Sequence, residues 1–209
     1  MAKVKVLIEG HMARNENGRY SIGSTVTLVL TREHRILVDT GSFPDEVPLI
    51  RGLAGHALTP DDIDVVILTH LDLDHIVNTH LFRRAKVFCK FRGGEYPGQV
   101  HFPADGTLER SQMLGMGLID EDIEIIPTPG HAEDMISVAV RSPAGRVVVA
   151  GDAFPDKSWT NFDRQPDPLI VDVAGFNESR KRILRIADYI VPGHGGMFPV
   201  TSRDTAGIE

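Results

Sequence analysis

The chain has 209 residues, 42% hydrophobic and 24% charged, with a formal net charge of −7, a balance that fits one soluble domain spanning residues 1–209 with a core of its own. No apolar stretch reaches the roughly 20 residues that span a bilayer, so no membrane partner is expected. The acidic balance weighs against non-specific nucleic-acid binding, which needs Lys and Arg to neutralise phosphates.

Read from the N-terminus, Met1 to Glu9 is too short and too soon charged for a signal peptide, and reads as a first strand. Apolar, β-branched runs follow along the chain: Val4 to Ile8, Thr25 to Leu30, Ile36 to Val38, Val65 to Leu68, Lys86 to Cys89, Ile123 to Ile126, Ile136 to Val140, Val147 to Ala150 and Tyr189 to Val191. Each is bounded by Gly, Pro, Asn or Asp, the usual punctuation of strands. Pro143-Ala144-Gly145-Arg146 reads as a hairpin turn. Thr59-Pro60-Asp61-Asp62 predicts a short helical turn, with a capping threonine, a proline at the first position and acids behind it. Asn177 is expected to cap a helix over Glu178 to Ala187, with Ile183, Leu184, Ile186 and Ala187 on one side and the basic run Arg180 to Arg182 in solvent. Many strands with interspersed helices predict a two-sheet sandwich flanked by helices. The stretches Phe91 to Gly117 and Phe154 to Gly175 are the least regular. Cys89 is the only cysteine, so no intrachain disulfide forms and a reducing cytoplasm is expected. It reads as a small buried hydrophobe.

Ligand-type side chains sit where these runs end. His70, Asp72, Asp74 and His75 follow Val65 to Leu68; His131, Asp152 and His194 follow three later runs, each through a turn with glycine. Strand ends form a rigid frame, and glycine lets the backbone turn sharply. Imidazole and carboxylate together suit Zn, Fe, Mn or Ni, and a structural cysteine-type zinc site is excluded. These seven residues are too many for one ion and about right for two.

The segments Ile36-Leu37-Val38-Asp39-Thr40-Gly41, Thr69 to His75, Thr128-Pro129-Gly130-His131, Val149-Ala150-Gly151-Asp152 and Val191-Pro192-Gly193-His194-Gly195 occur in an order that resembles the metallo-β-lactamase superfamily. The likeness runs from about Val26 to Gly196 and is nearest to compact single-domain members, including the animal-type metallo-β-lactamase-domain proteins. It implies an α/β fold, the four-layer αβ/βα sandwich, with two divalent metal ions, zinc first among them, in a cleft at the sheet edges. Site one would then be His70, residue 72 and His131; site two would be Asp74, His75 and His194; Asp152 would bridge, and Asp39 would brace the ligand loop without binding metal. Asp74 is also the residue given a catalytic role. A hydroxide between the metals would be the nucleophile.

The family motif is His-x-His-x-Asp-His, and Asp72 stands in place of its second histidine. Three readings stay open: a ligand that makes site one harder and admits Fe or Mn, a side chain too short to reach, or a neighbour of the site with water completing it. Flavo-diiron members likewise carry a carboxylate there. The function this implies is a metallo-hydrolase acting on a small ester, thioester, lactone or phosphodiester. Two alternatives are an iron-dependent redox protein acting on oxygen, nitric oxide or sulfur species, and a non-catalytic metal- or RNA-binding domain. The room that 209 residues leave points to a small-molecule substrate, since glyoxalases and larger nucleases of the family add further domains. His11, His34, His56, His80 and His101 read as packing or solvent-facing, with His101 also a candidate for a substrate pocket. Trp159, on the segment leaving Asp152, reads equally as core or as substrate contact.

Overall fold

The computed structural model describes residues 1–90, 92–96, 98–101, 121–206 and 208. Fourteen strands are described, together with three α-helices and several single 3-10 turns. The first large sheet comprises β1 (Lys3–Ile8), β4 (Val26–Leu30), β5 (Arg35–Val38), β6 (Val65–Ile67), β7 (Lys86–Cys89), β8 (Arg92–Glu95) and β9 (Gln99–His101), in that spatial order. The second comprises β10 (Ile123–Pro127), β11 (Ile136–Ser142), β12 (Gly145–Gly151), β13 (Tyr189–Pro192) and β14 (Phe198–Pro199). A separate hairpin joins β2 (His11–Arg14) to β3 (Tyr20–Gly23).

β5, β6 and β7 run parallel, as do β12 and β13. Their apolar runs are continuous because both faces of each sheet are covered. Alternate residues separate the two faces, as strand geometry demands. Val29, Ile36, Val38, Val65 and Ile67 meet Ile136, Val138, Val147 and Val149 in the core between the sheets. Leu28, Leu37 and Val66 face outward and pack with Leu49 and Leu53 of α1 (Glu46–Ala54). On the far side, Ala139, Val148 and Ile190 pack with Phe176, Ile183 and Leu184 of α3 (Val173–Ile186). Helix, sheet, sheet, helix is the four-layer sandwich the sequence predicts.

The helix capped by Asn177 is a correction. α3 begins at Val173, and the side chain of Asp172 caps it by accepting from Ala174 N; Asn177 lies inside the helix. Arg180 is also not in solvent. It is 1% exposed, its guanidinium lies 4.2 Å from the Phe162 ring centroid and 4.8 Å from that of Phe176, and it donates to the Trp159 carbonyl and to Asn177 Oδ1. Arg182 is exposed as expected, with Lys181 half-buried. The turn at Pro60–Asp62 forms, with Asp62 Oδ2 accepting from Thr59 N at 2.8 Å, and Cys89 is buried. α1, the β2–β3 hairpin, β8, β9 and β14 were not predicted. No helix among the described residues is long and apolar enough to cross a membrane.

Candidate metal centre

The site is assembled at one end of the two sheets. β6 hands over to Leu68, Thr69 and His70, and α2 (Leu73–Ile76) carries Asp74 and His75, with Asp72 as its N-cap residue. β10, β12 and β13 deliver His131, Asp152 and His194 through short turns. Two glycines in those turns are dictated by space. Gly130 has φ +141°, and a Cβ there would sit 2.3 Å from the Phe176 backbone; at Gly193 it would sit 1.8 Å from Asp152 Oδ1. A side chain at Gly130 would displace the Phe176 backbone, and one at Gly193 would displace the Asp152 carboxylate.

Two sets of donors come together: His70, His131 and Asp152 in one, Asp74, His75 and His194 in the other, with the ligand atoms of each set within 4.8 Å of one another. Asp152 lies between the sets. Its Oδ2 is 3.1 Å from His194 Nε2 and 3.7 Å from His131 Nε2, and its Oδ1 is 3.4 Å from His75 Nε2. Asp72 also reaches the first set: its Oδ2 is 3.2 Å from His131 Nε2 and 3.5 Å from His70 Nε2. Asp74 mirrors it, with Oδ2 3.6 Å from His75 Nε2 and 3.8 Å from His194 Nε2. All seven ligand candidates from the sequence therefore meet in one place, Asp72 included.

Hydrogen bonds behind the cluster fix which nitrogen faces it. Asp39, held at φ 59° just after β5, accepts from Thr69 N through Oδ1, and from Thr69 Oγ1 and His75 Nδ1 through Oδ2, each at 2.8 Å. The Thr69 hydroxyl has spent its one hydrogen on Asp39, so at 3.0 Å it accepts from His70 Nδ1. The Gly23 carbonyl can only accept, so His194 Nδ1 donates to it at 3.1 Å. In three of the four imidazoles Nδ1 thus carries a hydrogen, and Nε2 is the nitrogen that faces inward. Asp39 braces the loop as the family resemblance implied.

The inward atoms are left wanting. His70 Nε2, His75 Nε2 and Asp152 Oδ1 are buried without a hydrogen-bond partner, a state that costs about 1–3 kcal/mol for each group unless something binds there. Oriented imidazole and carboxylate donors around a common centre fit divalent cations. Burial opposes charge on His75, yet the nearby carboxylates of Asp39 and Asp152 outweigh it and hold the imidazole well above its usual pKa. His131 and His194 are raised in the same way, against burial, by Asp72 and Asp152 respectively. Burial also works against the Asp152 carboxylate, but His75 and His194 keep it well below the ordinary range. Asp72 is lowered, chiefly by its hydrogen bond to His131 and also by the nearby imidazole of His70.

A cleft opens over these ligands. Besides Asp72, Asp74, His131, Asp152 and His194 it is walled by Met12 and Ile22 of the β2–β3 hairpin, by Pro155, Trp159 and Arg164, and by Asp167, Leu169 and Ile170. Trp159 is a core residue that also reaches the cleft. It is 3% exposed, with its ring edge-on to Phe176 at 5.3 Å, and it also lines the cleft. Arg164 and the hairpin were missed from sequence; only the Asn17-Gly18 turn marked the hairpin. His11 and His80 are exposed, their ring nitrogens near Ser21 Oγ and the Val77 carbonyl. The reading of His101 as a pocket residue concerns a side chain outside the described residues.

The profile of the metallo-β-lactamase superfamily matches residues 21–194. Metallo-beta-lactamase domain-containing protein 1 of Homo sapiens is 36% identical over 199 residues, covering 90% of this chain and 68% of that protein. A protein of Methanocaldococcus jannaschii named as a probable metallo-hydrolase is 34% identical over 194 residues, covering 93% of this chain and 87% of that one. Among solved structures, an N-acyl homoserine lactone hydrolase with its product bound at the catalytic metal centre superimposes with a TM-score of 0.60 at 15% identity, covering 88% of this chain and 87% of that one. At that identity the likeness concerns the fold alone.

Proposed function

This chain belongs to the metallo-β-lactamase superfamily, and from that premise we propose that it is a metal-dependent hydrolase holding two divalent ions and acting on a small ester, thioester, lactone or phosphodiester. The observation that carries the reading is the set of buried donor atoms without partners, His70 Nε2, His75 Nε2 and Asp152 Oδ1. His70, Asp72 and His131 would hold one ion and Asp74, His75 and His194 the other, with Asp152 shared. Bound ions of this kind supply an ionised water near neutral pH and polarise the oxygen of the scissile group.

The chain's own residues do the rest. Asp39, Thr69 and the Gly23 carbonyl bond Nδ1 of His75, His70 and His194, so Nε2 is the nitrogen each ring turns toward the centre. Asp74 is partly exposed in the cleft wall and would take a proton from the attacking water and return it to the leaving group. Ile22, Pro155 and Ile170 line the cleft and would limit access of bulk water to the reacting bond. A relative named as a probable metallo-hydrolase supports the reading.

The test starts from protein purified without added metal. Its metals are counted by mass spectrometry, removed with a chelator and replaced by Zn, Mn or Fe before assay on one chromogenic member of each of the four substrate classes. Stoichiometric metal with turnover that disappears on chelation and returns on reloading is expected. A second reading, an iron-dependent redox protein, is favoured by one observation: Asp72 Oδ2 adds an oxygen donor within 3.5 Å of both imidazoles of its set, and oxygen donors suit harder ions. Iron with oxygen-dependent turnover and no hydrolysis would select it. Tight metal binding without turnover of any kind would leave a non-catalytic domain.

A further inference from the structure

Arg164 is the one Lys or Arg among the described residues that line the cleft. Its guanidinium lies 4.4 Å from the Trp159 ring centroid, and it donates to Ser158 Oγ, which in turn donates to Asp156 Oδ1. Trp159 is a fixed platform. Phe176 packs edge-on to it, and Arg180 donates to its carbonyl from behind. A guanidinium has five N–H donors, and a single one is used here. No carboxylate pairs with Arg164 among the described residues. Asp167, on the same wall, accepts from Leu169 N through Oδ1 at 2.9 Å, so that oxygen is committed to its own turn. The result is an oriented cation, stacked and exposed, beside a metal-ligand cluster and an apolar wall.

We propose that Arg164, stacked on Trp159, is a specificity-determining residue that selects hydrolysable substrates bearing a carboxylate on an apolar body. The planar fork of one guanidinium matches the two oxygens of a carboxylate. A phosphate monoester would bring more charge and a third oxygen, and no second Lys or Arg among the described residues lines the cleft to meet them. Met12 and Ile22 of the hairpin, with Leu169 and Ile170, supply the apolar surface that receives the body of such a substrate. The proposal rests on the hydrolase reading for the word hydrolysable, and on the cleft alone for the carboxylate.

Trp159 is the only tryptophan of the chain, so its fluorescence reports binding without turnover. The N-methyl monoamide of octanedioic acid, with a free carboxylate, is titrated beside the same compound carrying a carboxamide instead. The wild-type protein is expected to bind the carboxylate about 10- to 100-fold more tightly, the range of a charge-assisted hydrogen-bonded pair. Arg164→Gln is expected to bind both compounds equally, and Arg164→Lys to recover part of the preference, which a purely structural role would not do. Equal binding by the wild type would overturn the proposal. So would a preference that persists in Arg164→Gln, because the metal centre would then be reading the anion. Mono-p-nitrophenyl octanedioate, with its second carboxylate free, and the matching ester carrying a carboxamide in place of that carboxylate separate this idea from the one beneath it. Turnover of both with equal KM sinks the subsite and leaves the hydrolase, whereas a binding preference with no metal-dependent turnover leaves the subsite and sinks the esterase reading.

Discussion

Asp39 touches no substrate and yet governs the centre, because its two oxygens accept three hydrogens: Thr69 N, Thr69 Oγ1 and His75 Nδ1. An asparagine has one acceptor oxygen and turns an amide donor toward groups that already donate. Asp39→Asn should therefore lower divalent-metal affinity about 10- to 100-fold, the usual effect of losing such a brace, in competition titrations against a chromophoric chelator. Unchanged affinity would mean that the imidazoles are oriented by something else. Asp72 acts differently. With it, each donor set reads as two imidazoles, one carboxylate and a share of Asp152, so the two sets are chemically alike. Asp72→His would restore the family motif, remove a negative charge and soften one set. Loaded from an equimolar mixture of Zn and Mn, the variant should hold a higher Zn-to-Mn ratio than the parent protein by metal analysis. A ratio that does not move would place Asp72 outside the coordination.

At the scale of elements, the segment between β12 and α3 owes its shape to one helix residue. Arg180 is buried, stacks against Phe162 and Phe176 and holds the Trp159 carbonyl, while burial pulls its pKa down to about 10. A buried cation with its Nε unpartnered is a costly way to fill space, and its return is the fixed position of Trp159. Arg180→Ala removes the stem, the stacking and the hydrogen bonds together, and should cost about 3 kcal/mol in urea unfolding. The tryptophan emission should shift to the red as the ring loosens. Arg180→Met keeps the stem's volume and should cost less than half as much. Equal losses would show that packing volume is not what Arg180 contributes. None of this was legible in the sequence, where Arg180-Lys181-Arg182 reads as a charge run on a helix surface; burial of one member depends on where α3 starts, and Asp172 starts it earlier than Asn177 would. α1 was hidden for another reason. Pro48 and Gly52 break its pattern, and only Leu49 and Leu53 are buried, too short an apolar stripe to stand out.

For the whole molecule, the sandwich was readable because its central strands are covered on both faces and so appear as unbroken apolar runs. The strands that escaped, β2, β3, β8, β9 and β14, are short or polar pieces at edges and in the hairpin. The candidate ligand cluster was readable because each of its residues sits just beyond a strand, where spacing in sequence still reflects position in space. The cleft wall was not, since Arg164 and Met12 reach it from loop and hairpin. The assembled centre then sets how stability depends on pH. His75, His131 and His194 have raised pKa values, so in the metal-free protein their charge–carboxylate contacts contribute stability that is fully present below about 6.5, the unfolded value, and is lost as pH rises through the folded values. Asp72 and Asp152 are lowered, and their contribution is present above about 3.9 and lost as pH falls through the folded values. The metal-free fold should accordingly be more stable near about pH 5.5 than near about pH 8. A divalent ion needs the same Nε2 atoms without protons, so its binding releases protons and strengthens as pH rises. The increase in Tm on adding zinc should therefore be small near about pH 5.5 and larger near about pH 8, measured by thermal unfolding of chelated and reloaded protein across that range. An increase in Tm that shrinks as pH rises would show that the protons held among these three histidines do not compete with the metal, and that the ion binds elsewhere.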